Sequence, residues 1–70
     1  MSPEILLVRH GEGYRILHGH LRLSSVLSGL TERSEATVEA SGEGKVKLVK
    51  TPHGVHVVNA SRRLPLLANA

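Results

Sequence analysis

Residues 14–30 read YRILHGHLRLSSVLSGL, and the spacing of the apolar positions changes inside this stretch. Tyr14 to Leu17 is a short run of strand-forming residues. Beyond it, Leu23, Val26, Leu27 and Leu30 fall at i, i+3, i+4 and i+7, which is one face of a helix. The change comes at Gly19. The spacing predicts a helix from about His20 to Ser28, with Gly29 as its left-handed C-terminal cap. Ser24, Ser25 and Ser28 lower its intrinsic propensity, so it has to lean on tertiary packing.

On the N-terminal side, Pro3 introduces Ile5-Leu6-Leu7-Val8, a continuous apolar run read as a strand. Gly11-Glu12-Gly13 signals a tight reversal, so Tyr14 to Leu17 is the return strand of a hairpin with Arg9 to Tyr14 at its tip. On the C-terminal side, Thr31 to Ser34 is a polar connection and Thr37 to Ala40 a short strand, closed by Ser41 to Gly44. Lys45-Val46-Lys47-Leu48 alternates strictly, the mark of a half-buried strand with a basic outer face. Thr51-Pro52-His53-Gly54 is a turn with Pro and Gly where a type I turn favours them, and Val55 to Val58 is the partner strand. After that, Asn59 or Ser61 is expected to cap a short helical turn that Pro65 limits, followed by a frayed end.

The pattern predicts one domain over residues 1–70. Its fold class is α+β: a small, mostly antiparallel sheet of about five strands with one main helix after the second strand. The helix is expected to lay Leu23, Val26, Leu27 and Leu30 on Ile5, Leu7, Ile16, Val38 and Val46.

Composition narrows the chemistry. Eleven Leu and eight Val face a single aromatic, Tyr14, so base recognition by aromatic stacking is disfavoured. No cysteine means no disulfide, no thiolate zinc site and no thiol catalysis. No Asp is present either, which removes the commonest partner of a catalytic histidine or a magnesium ion. A core of this size rarely yields more than about 3–5 kcal/mol, so a homodimer through an exposed strand edge is expected. No apolar run nears the roughly 18 residues of a membrane span and no signal segment opens the chain, so a cytoplasmic protein is expected. The net charge of +3 is unevenly spread. Every acid lies within the first 44 residues, whereas Lys45, Lys47, Lys50, Arg62 and Arg63 follow with none among them. Such a one-sided basic segment predicts an anionic partner, with duplex DNA as the leading candidate.

Gly19-His20-Leu21-Arg22 at the start of the helix has the logic of an anion site. Free backbone N–H groups and the helix dipole would point at a phosphate, and Arg22 would add a two-pronged contact. With the preceding strand and the closing Leu27-Ser28-Gly29-Leu30, the segment over residues 3–40 resembles the ParB/sulfiredoxin superfamily. The resemblance implies phosphate binding by Gly19, His20 and Arg22, and DNA or a nucleotide as the bound group. It implies no sulfiredoxin activity, because that enzyme's cysteine is missing. The alternative reading is a small nucleotide-dependent phosphotransfer enzyme or its remnant, with His18 or His20 as acid or base. A third is a protein-assembly module. A shorter stretch, Leu7-Val8-Arg9-His10-Gly11-Glu12, resembles the Arg-His-Gly signature of histidine phosphatases, where the residue at His10 would be the nucleophile. That fold is a large α/β domain, which 70 residues cannot build. No metal site is predicted, since His18 and His20 have no carboxylate placed near them.

Overall fold

A computed structural model describes residues 4–67. Strands β1 (Leu6–His10) and β2 (Gly13–His18) form a hairpin, followed by helix α1 (His20–Gly29). Then come β3 (Glu35–Ala40), β4 (Gly44–Thr51), β5 (Gly54–Asn59) and β6 (Arg62–Pro65). All six strands lie in one sheet of order β2-β1-β3-β4-β5-β6, antiparallel except for a short parallel pairing of β1 with β3. The second strand of the hairpin and α1 together make the long connection that a parallel pair requires.

The sheet curls so far that its two edges meet at one corner. Tyr14 of β2 bridges Leu66, and the Leu67 amide donates to the Tyr14 carbonyl at 2.8 Å. Gly13 makes that approach possible: a Cβ there would lie 2.6 Å from the Leu67 side chain and 2.9 Å from the Pro65 carbonyl. The concave side holds Leu7, Tyr14, Val38, Ala40, Val46, Leu48 and Val57, and it is closed by Leu23 of α1 and by Leu30 just beyond the helix. Ile5, Ile16 and Leu27 pack around this cluster as expected, whereas Val26, half-buried as they are, is not among the side chains packed on it.

The fold class needs correcting. Over the described residues the fold is a curled six-stranded half-barrel with one ten-residue helix, not a five-stranded α+β layer. The strand missing from the sequence reading is β6, where a short helical turn was expected. Arg62-Arg63-Leu64-Pro65 pairs with β5 instead, through a tight reversal with Ala60 at φ 57°. Leu64 packs against the core, and Pro65 ends an edge strand, the place in a sheet where a missing N–H costs least. The frayed end expected further on, and Pro3 at the start, fall in part or wholly outside the described residues. The left-handed glycine of the helix also moves. Gly29 is helical and Leu30 caps the end in an extended conformation, whereas Gly19 at the N-terminus has φ 91°. The turn at Thr51 to Gly54 is as expected, with Pro52 and His53 as its two loop residues and Thr51 opposite Gly54.

Candidate functional site

The five basic residues of the second half do not form one patch. Cross-strand registers put Thr37, Lys47, Val58 and Arg63 in a single row across β3 to β6, all on the convex face. Lys47 and Arg63 are two strand spacings apart, roughly 10 Å between backbones. Lys45 sits one pleat along, opposite Glu39. Lys50 emerges near the turn, opposite Val55. Arg62 lies opposite Asn59 at the other end, where its charge acts on the carboxylate of Glu43. The convex face also carries acids that the linear charge count concealed. Glu35 and Glu39 point outward from β3, and Glu35 pairs with Lys47 at 3.0 Å. Both partners are about half exposed, so this pair adds little stability while it partly neutralises the row.

Gly19, His20 and Arg22 occupy the start of α1 as predicted. The helix has no side-chain cap and no acid in its first turn. Gly19 is there for a close approach: a Cβ would lie 2.6 Å from the Glu4 carbonyl oxygen and 3.0 Å from the Ile5 Cα. The backbone that comes near Gly19 therefore belongs to the segment leading into β1. Arg22 turns toward a groove of about 480 Å³ between α1 and β3. That groove brings Arg22 together with Lys45, two sites that the sequence reading kept separate. It also brings in Glu4 and Glu39, with Ile5, Val26, Ala36 and Val38 as its apolar lining.

A third polar cluster lies at the corner where the sheet closes. The Tyr14 hydroxyl donates to Glu43 Oε1 at 2.5 Å, and Asn59 Nδ2 donates to the same oxygen at 2.8 Å. One carboxylate on the β3–β4 turn thus ties the start of β2 to the end of β5. The Tyr14 hydrogen bond, then those of Asn59 and the charges of Arg62 and Arg9, hold the Glu43 carboxyl below its ordinary range. Burial, with help from Glu43, pushes the Tyr14 hydroxyl above its ordinary range. The sequence reading missed this cluster. Its one available signal was that a lone aromatic with a polar tip, if buried, needs a hydrogen-bond partner.

The histidines are dispersed. His10 is exposed at the end of β1 opposite Gly13, and Arg9 Nε donates to the Gly11 carbonyl at 3.0 Å, so the Arg-His-Gly segment is a hairpin end. His18 is exposed opposite Leu6, and His53 lies in the β4–β5 turn. His56 Nδ1 is 3.4 Å from Thr51 Oγ1. Among the described residues no three of His, Cys, Asp and Glu converge as a metal site would need. Among the described residues no helix is long and apolar enough to cross a membrane. No protein-family model matches the chain, and neither a curated protein nor a solved structure matches it.

Proposed function

We propose that the chain is a binding module without chemistry of its own, which docks a nucleic-acid backbone on the convex face of β4 to β6. The observation that supports this is the row of Lys47 and Arg63 with Lys45 beside it. Among the described residues Lys45 and Arg63 have no ion-pair partner. Phosphates are spaced along a duplex, so cations spaced along a sheet suit them better than a single pocket would. Gly19, His20 and Arg22 contribute less, because they stand at the start of α1, away from the β4 to β6 row that Lys47 and Arg63 define.

The test is a salt titration of duplex DNA binding. Affinity falls steeply with salt, and Arg63→Ala lowers the slope of log K against log salt by about 1. Glu35→Gln strengthens binding, because it releases Lys47 from its 3.0 Å pair. Arg22→Ala changes affinity less than Arg63→Ala does. Salt-independent binding, or an Arg63→Ala protein that binds as the parent does, sinks the reading. Saturable stabilisation by a nucleotide with no response to duplex would favour the phosphotransfer alternative.

A second reading, self-association, has one observation in its favour. Leu21 is 87% exposed on the first turn of α1, and Leu17 is 56% exposed at the end of edge strand β2. A homodimer joined at this end of β2 buries both. Light scattering at high micromolar concentration then gives twice the chain mass, and Leu21→Lys returns it to the monomer value. A monomer mass for the parent removes the dimer.

A further inference from the structure

Among the described residues, the groove between α1 and β3 contains a strand edge with no ladder partner. β1 is registered on β3 only at Leu6 with Glu39 and Leu7 with Ala40. Among the described residues Glu35 to Val38 are registered on β4 alone, so alternate residues of this segment turn N–H and C=O groups away from β4. Glu4 and Ile5 precede β1 without entering the ladder, and they line the groove beside this edge.

We propose that this groove docks an extended peptide segment of a partner protein, added as a strand to the open edge of β3. The segment carries one apolar side chain between Ile5 and Val26, with an acid and a base on either side of it. The main chain supplies the affinity that any edge offers an extended peptide, and the flanking groups supply selectivity. Charge sets the kind of partner. Arg22, Lys45, Glu4 and Glu39 all line the groove, and none has an ion pair among the described residues. A phosphate would meet two carboxylates as well as two cations. A purely apolar ligand would leave four charges unanswered. A peptide with charges of both signs answers each of them. The groove volume, about 480 Å³, lies within the range of sites that hold small ligands or a few side chains.

The experiment uses two capped hexapeptides, acetyl-Thr-Glu-Leu-Lys-Val-Thr-amide and its partner with Glu and Lys exchanged, titrated into the isotope-labelled chain. One of them should shift the amides of Ala36 to Glu39 and the methyl groups of Ile5 and Val26, with a Kd at or below about 1 mM. N-methylation of alternate amides in that peptide should weaken binding about ten-fold or more, a loss of about 1.4 kcal/mol. Arg22→Glu, a change at an exposed helix position that the helix dipole tolerates, should reverse the preference between the two peptides. The proposal is overturned if neither peptide shifts these signals at several millimolar, or if the N-methylated peptide binds equally well. It is also overturned if inorganic phosphate alone reproduces the shifts, which would make the groove an anion site.

Discussion

Gly19→Ala is expected to lower the melting temperature by roughly 10–20 °C, while Gly29→Ala, at the other end of the same helix, raises it slightly. At Gly19 two penalties act together. The backbone sits at φ 91°, where an L-residue is strained by about 1–3 kcal/mol. The new Cβ would also lie 2.6 Å from the Glu4 carbonyl oxygen and 3.0 Å from the Ile5 Cα, and both obstacles are backbone. In a domain this small, each kcal/mol is worth about 4–8 °C, which gives the stated shift. Gly29 has ordinary helical geometry and nothing within 4 Å of an added Cβ. Alanine there gains about 0.5–1 kcal/mol of backbone entropy and helix propensity. Thermal melts of the two variants beside the parent settle the matter. An unchanged melting temperature for Gly19→Ala would mean that the β1 lead-in does not press on the helix start.

This pair of glycines also shows where the sequence was readable. The change of period at Gly19 located the helix, because burial of Leu23 and Leu30 is a property of spacing alone. Which glycine takes the left-handed conformation depends on what the chain meets there, and Glu4 is fifteen residues away. The strict alternation of Lys45 to Leu48 located β4 for the same reason. β6 was hidden because its two arginines carry no alternation and its proline suggests a stop. Its pairing is visible only once β5 offers an edge. Charge was misleading in a similar way. Lys47 is followed by a long acid-free stretch in the chain, yet in space its neighbour is Glu35, brought across by the β3–β4 register. The basic row and the groove both depend on such registers. Linear composition predicted an anionic partner but could not say which cations would stand together.

Tyr14→Ala is expected to cost about 3–5 kcal/mol, most of what a core of this size provides. Tyr14 is among the largest fully buried side chains, and it stands at the corner where β2 meets the end of β6. Tyr14→Phe separates packing from polarity, since it keeps the ring and removes only the hydroxyl bonded to Glu43. A hydrogen bond to a charged group is worth about 1.5–3 kcal/mol, so the phenylalanine variant should fold with a lower urea midpoint. The pH dependence has a definite sign. The Glu43 carboxyl titrates lower in the folded chain, so its contribution is present above its unfolded value and is lost as pH falls through the folded one. The Tyr14 hydroxyl titrates higher when folded, so its contribution is present below its unfolded value and is lost as pH rises through the folded one. Tyr14→Phe removes the alkaline loss altogether and shrinks the acid loss, because Asn59 remains as a donor to Glu43. Urea midpoints measured across acid, neutral and alkaline pH should therefore vary less in the variant than in the parent. Parallel curves would show that the Tyr14–Glu43 bond contributes nothing to holding the corner shut.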